Sequence, residues 1–240
     1  MENTKSLDVL EDIAELRRVP EGEKFICLFS GGKDSGLALS IAIRKANPLA
    51  LVNCCEQGRP LFHQHGKDIL ELQSQAINIP CRYVEGHWKE SKELLKLCVE
   101  YKEKGAAFIL FGDINDKKNA LRKIELCHQV GLKPCMPLWA RDHNEICALL
   151  AEHKIKSLIT TTRPILYEEL GKIFDEKLFF RLKKKGVNPL GEEGEFHSTL
   201  IDADIFVYPL LFEVRNSHIL KDKFGEKKEL MCKYYLGDEK

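Results

Sequence analysis

Four near-continuous apolar runs most limit what this chain can fold into: "FICLF" (25–29), "PLALVNCC" (48–55), "CRYVEG" (81–86) and "AAFILFGD" (106–113). A strand that is apolar on consecutive residues is buried on both faces, which is the condition of a parallel sheet. Each run is followed by a helical pattern, from about Gly36 to Ala46, His63 to Asn78, Ser91 to Lys104 and Lys117 to Val130. Strands alternating with helices in this way predict a doubly wound α/β layer. After "KPCMPLW" (133–139) the rhythm loosens. A helix at 142–154, the strand "SLITTT" (157–162) and a helical region from Tyr167 to Lys185 come first. A Gly- and Glu-rich segment follows, then a hairpin of "LFEVRNSHIL" and "ELMCKYYLG" joined by "KDKFGEKK". The expected organisation is a parallel-sheet domain over 1–138 and a smaller α+β domain over 139–240. The opening "MENTKSLDVLEDIAELRRV" reads as an amphipathic helix over 5–19, with Leu7, Leu10, Ile13 (or Ala14) and Leu16 on one face.

Charge bounds the partners. Lys plus Arg (37) equals Asp plus Glu (37), so no global field gathers nucleic acid or an anionic membrane, and neither is expected as a partner. No apolar run approaches the length of a membrane span. The first residues are too acidic for a secretory leader, so a cytoplasmic protein is expected. The nine cysteines (Cys27, Cys54, Cys55, Cys81, Cys98, Cys127, Cys135, Cys147 and Cys232) contain no C-x-x-C pair. They read as reduced thiols packed as small hydrophobes, with neither a zinc nor an iron–sulfur site.

The polar stretch "SGGKDS" (30–35) stands at the exit of the first apolar run and leads into a helix. In a doubly wound sheet, ligands bind beyond the carboxyl ends of the strands. Gly31 and Gly32 let backbone N–H groups approach an anion, and the helix that follows adds its own N–H groups and positive dipole end. Lys33 brings a compact positive charge, and Ser30 and Ser35 bring hydroxyl donors. Asp34 would repel a bare phosphate, and makes sense with a divalent cation between them. The segment therefore reads as a polyphosphate cradle with a metal-facing acid. It is neither a Walker A loop nor a dinucleotide G-x-G-x-x-G turn.

A second segment, "NPLGEEGEFHS" (188–198), also carries charge in an unusual setting. Gly191 and Gly194 permit a tight, irregular backbone, and Glu192 and Glu195 set two carboxylates on it. Such a pair can hold an ammonium ion, accept its protons or coordinate a second cation; a solvated acidic turn is the other reading. His63 either contacts a ligand or faces solvent at a helix start. Asp113 ends a strand, where ligands gather. Arg163 either clamps an anion or forms a structural ion pair. Trp139 reads as a core or interdomain residue rather than a stacking platform, and Lys183–Lys185 as a solvated helix end.

"SGGKDS" resembles the signature of the PP-loop ATP pyrophosphatases, whose fold is adenine nucleotide alpha-hydrolase-like. "HQHGKDILELQ" with "AINIP", "FGDI" (111–114), "GLKPCMPLW" (131–139) and "NPLGEEGEFHS" narrow the resemblance to the diphthine–ammonia ligase family and its relatives of unassigned substrate. It runs from about Phe25 to Phe206. Asn188 and Leu190 stand where relatives often have Asp and Cys. The resemblance implies an ATP- and Mg2+-dependent amide ligase that releases AMP and pyrophosphate. Ser30, Gly31, Gly32, Lys33, Asp34 and Ser35 would hold the pyrophosphate, with Asp34 placing magnesium. Asn53, Cys54, Gly112 and Asp113 would line the nucleotide site. Lys33, Asp34, Glu192 and Glu195 would serve catalysis, and His63, Gly191, Gly194 and His197 would serve the acceptor. The partners implied are ATP, ammonia and a carboxylate, which is diphthine on elongation factor two if the source is eukaryotic or archaeal. Thiolation of a tRNA base and a nucleotide-binding module without turnover are the competing readings.

Overall fold

The computed structural model describes residues 8–56, 59–60, 67–88 and 91–240. The chain divides into two compact units: residues 1–30, 34–67 and 79–141 form the first, and residues 31–33, 68–78 and 142–240 the second.

In the first unit, β1 (Lys24–Leu28), β2 (Asn47–Glu56), β4 (Cys81–Glu85), β5 (Ala106–Leu110) and β6 (Lys133–Cys135) form a parallel sheet in the order β4-β2-β1-β5-β6. The short β3 (Arg59–Pro60) pairs antiparallel with β2. The doubly wound expectation holds, and for β1 the reason given holds too: Phe25, Ile26 and Cys27 are all buried, so β1 is covered on both faces, whereas β4, among the described residues, pairs only with β2 and buries Val84 alone. The rings of Phe25 and Phe108 stack across β1 and β5, with centroids 5.0 Å apart. β1 has β2 on one side and β5 on the other, so the chain reverses its winding direction at the carboxyl end of β1. That switch point is where the polar stretch begins.

The intervening helices are α2 (Lys33–Ile43), α3 (Lys67–Ile77), α4 (Lys92–Glu103) and α5 (Lys117–Val130). α5 covers the expected residues because both ends carry stop signals. Asp116 accepts from Asn119 N, and Gly131 closes the helix at φ 66°. The amino-terminal helix differs from its expectation. Residues 8–11 and α1 (Ile13–Arg17) are separate turns, because Asp12 leaves helical geometry to cap Glu15 N. Leu10 and Leu16 are buried, but Ile13 is exposed. Leu7 lies outside the described residues. Trp139 is buried in the core of this unit, as expected.

In the second unit, β7 (Lys156–Thr162) is the central strand. It pairs antiparallel with β8 (Ile173–Phe174), β9 (Phe196–Asp202) and β11 (Gly225–Leu236), and β11 pairs in turn with β10 (Leu210–Asp222). α6 (His143–Glu152) and α7 (Glu176–Lys184) complete the unit. The helical region expected over 167–185 is broken into a 3-10 turn (Pro164–Glu169), β8 and α7. Gly171, at φ 81°, turns the chain so that its N–H reaches the Ile159 carbonyl of β7. The hairpin is tighter than expected: Lys223 and Phe224 alone join its strands, with Asp222 accepting from Phe224 N.

Candidate nucleotide and acceptor site

"SGGKDS" joins β1 to α2, which begins at Lys33. Gly31, at φ 83°, makes the turn. Ser30 and Ser35 stand with their hydroxyl oxygens 3.0 Å apart across its mouth. Gly112, just after β5, lies hard against the start of α2: a Cβ there would sit 2.7 Å from Ser35 N and 2.8 Å from the Asp34 carbonyl carbon. Only glycine allows the β5 exit to approach the helix so closely. Strand end, glycine turn and helix N-terminus at a switch point make a fitting seat for a polyphosphate.

Lys33 is buried, and its ammonium donates to the Leu190 carbonyl at 2.5 Å. It also lies 5.5 Å from the Phe196 ring centroid and 6.0 Å from that of Phe174. Within the second unit, therefore, the loop lysine and the residues around "GEEGEF" are neighbours. Gly191 (φ 77°) and Gly194 (φ 81°) both take the left-handed backbone expected of them. A Cβ on Gly191 would meet the Phe196 carbonyl oxygen at 2.9 Å. Asn188 shapes the approach to this turn by accepting from Leu190 N at 3.0 Å, and Leu190 is buried. Glu195 accepts from Glu193 N at 3.0 Å, which folds its carboxylate back onto the turn, while Glu192 is half-buried.

Arg163 fixes the turn from outside. Its N–H donates to the Glu195 carbonyl, and its guanidinium donates to the Gly194 carbonyl. The same guanidinium grips both oxygens of Asp222, at 3.1 and 3.0 Å, and reaches the Gly225 and Glu226 carbonyls. Of its two readings, the structural ion pair is the one observed. His197 opposes Thr161 on β7. It keeps access to solvent. Even so, the crowding of protein around the imidazole disfavours its charge, and Lys227, Lys33 and Arg163 add to this against the pull of Asp222, so its pKa is pushed down to about 4.

Other expected residues take up internal work. Asn53 donates to the Phe29 carbonyl at 2.7 Å and accepts from the Cys55 thiol at 3.4 Å, stitching the ends of β1 and β2 together. Cys54 packs in the core, where burial pushes its thiol up to about 12. Asp113 accepts from Lys123 of α5 with both oxygens, at 2.8 and 2.6 Å. His63 lies outside the described residues. The lysine run is the exposed end of α7, as expected, where Lys183 donates to Asn144 and Lys185 to Glu168. Sequence reasoning missed Gln73, Asp222 and Lys227. Gln73 is fully buried and bonds to the Gly31 and Leu200 carbonyls. Sequence reasoning has it only as the last residue of "HQHGKDILELQ", without a role, and as a polar residue on the buried face of α3.

All nine cysteines are free. No group of three or more His, Cys, Asp or Glu side chains suited to a metal occurs among the described residues. No helix among them is long and apolar enough to cross a membrane.

Residues 23–134 match the family model of the diphthamide synthase N-terminal domain. Two solved structures are similar at a distance. One is described as a predicted subunit of tRNA methyltransferase from Methanocaldococcus jannaschii, with 14% identity and TM-score 0.41, over 75% of this chain and 97% of that one. The other is the U34-tRNA thiolase NcsA from Methanococcus maripaludis with its 4Fe–4S cluster, with 15% identity and TM-score 0.36, over 62% of this chain and 63% of that one. No curated protein matches.

Proposed function

We propose that the protein is an ATP-dependent carboxylate–ammonia ligase of the PP-loop kind, a reading supported by the match of residues 23–134 to the diphthamide synthase N-terminal domain. The observation that carries the reading is the bond from Lys33 to the Leu190 carbonyl. It sets the loop's cation beside the double-glutamate turn.

In this reading the loop amides and Lys33 hold the phosphates of ATP. A carboxylate oxygen of the acceptor attacks the α-phosphorus, and the α–β bridging bond breaks to release pyrophosphate. Lys33 meets the charge that develops on the leaving group. Magnesium, held by Asp34 together with the phosphates, would neutralise more of it. Ammonia then attacks the acyl carbon and AMP departs. Glu192 and Glu195 orient the ammonia and take its proton. Gly191 and Gly194 bend the turn that presents these carboxylates, and His197 contributes a neutral imidazole to the acceptor side. Among carboxylates, diphthine on elongation factor two is the first to test. Burial pushes the thiols of Cys54, Cys98 and Cys135 up to about 12, so these three are far from the thiolate that sulfur transfer uses.

The test is product stoichiometry with ammonium and a panel of carboxylates. AMP and pyrophosphate are expected in equal amounts, and ADP with phosphate as the main products would overturn the assignment. Glu195→Gln is expected to slow amide formation while leaving ATP affinity nearly unchanged, because its task follows nucleotide binding.

A further inference from the structure

β9 pairs with β7 along one edge. On its other edge, Leu200 gives its N–H to the Gly31 carbonyl at 2.8 Å, and its own carbonyl accepts from Gln73 Nε2 at 2.7 Å. The same Nε2 donates to the Gly31 carbonyl at 2.9 Å. A phosphate-loop carbonyl, a sheet edge and a fully buried carboxamide thus close a triangle within the second unit. An open strand edge must place its backbone groups somewhere, and this one places them on the loop. Gln73 Oε1 has no hydrogen-bond partner, and it is the atom a Cβ on Gly31 would strike at 2.7 Å. A buried orphan acceptor is costly. An apolar side chain would fill the space with less desolvation, so what this position uses is its two donor bonds.

Those bonds have a geometric consequence. In a planar trans peptide the carbonyl oxygen and the following N–H point opposite ways. Clamping the Gly31 carbonyl onto β9 therefore turns the Gly32 N–H away from β9.

We propose that Gln73 is a positioning residue for the phosphate loop, fixing the Gly31 carbonyl to the strand that carries His197 and thereby holding the Gly31–Gly32 peptide in one orientation. The proposal rests on the reading of Ser30–Ser35 as the nucleotide site.

The experiment uses the full chain, with Mg2+ and ATP as the probe. Gln73→Met keeps the length of the side chain and removes its donors. It is expected to weaken ATP binding by about tenfold, the worth of one to two hydrogen bonds. It should also speed hydrogen exchange at the Leu200 amide by a similar factor, while the Ile109 amide of β5 keeps its protection. Gln73→Asn, which retains the donors on a shorter stem, should lose affinity as well, and it serves if the Met variant does not fold. Ile69→Val, a buried change on the same helix, should leave ATP affinity unchanged; an equal loss there would make the effect generic and overturn the proposal. A Gln73→Met protein that binds ATP like the parent, with Leu200 still protected, would also overturn it. If the parent itself binds no ATP, the nucleotide reading fails, and the Leu200 exchange rates still decide whether the clamp exists.

Discussion

A methyl group added to Gly112 would press on the backbone of Asp34 and Ser35, and backbone at a helix start cannot swing aside as a side chain can. Gly112→Ala is therefore expected to displace the first turn of α2. ATP-dependent pyrophosphate release should fall by more than about tenfold, with a much smaller change in the urea midpoint. Equal losses of both would mean that the glycine serves folding alone. His197 offers a second test at this scale. Its pKa in the fold, about 4, lies below the ordinary 6.5. The unfolded chain then takes up the proton first, so this group's contribution to stability is present above pH 6.5 and is lost as pH falls toward 4. An NMR titration of the imidazole should show a midpoint well below 6, and His197→Gln should flatten the acid limb of the stability profile. A midpoint near 6.5 would remove the argument.

The elements that could be read from sequence are those whose cause is local. β1, β2 and β5 appear as apolar runs because both faces are covered, and α5 appears because Asp116 and Gly131 mark its ends. What could not be read depends on partners far along the chain. β9 was hidden because "FHSTLID" follows a turn rich in glycine and glutamate, and its pairing is with residues about forty positions earlier. Arg163 finds Asp222 only once the hairpin has folded back, and Gln73 finds Leu200 only through β9. The same holds for the break between the 3-10 turn and α7. There Glu169 is buried and takes Arg181 and Lys172 at 2.9 Å each, so that the 3-10 turn, the loop after it and α7 share one carboxylate. Because both cations are half exposed, Glu169→Ala should cost about 2 kcal/mol rather than the larger penalty of a fully buried pair. Urea denaturation measures it, and a change under about 0.5 kcal/mol would show that the cations are as well served by water.

At the scale of the molecule, the sequence pattern gives the two kinds of layer. A change of rhythm after residue 139 suggests one cut in the chain, whereas the compact units interleave three segments each. Rhythm reports neighbours in sequence, while compactness reports neighbours in space. The consequence concerns how such a protein can be taken apart. Gly31–Lys33 belong by their surroundings with residues 142–240, although the residues on either side of them belong with the parallel sheet. A gene fragment ending near residue 141 would carry every letter of "SGGKDS" and lack Leu190 and Leu200, which receive Lys33 and Gly31. The motif would survive as text without the scaffold that shapes it. Recombination that swaps the carboxyl-terminal half would disturb the loop at the same stroke. The loop and the residues that receive it can then change only together, by substitutions within an intact gene and not by exchange of parts.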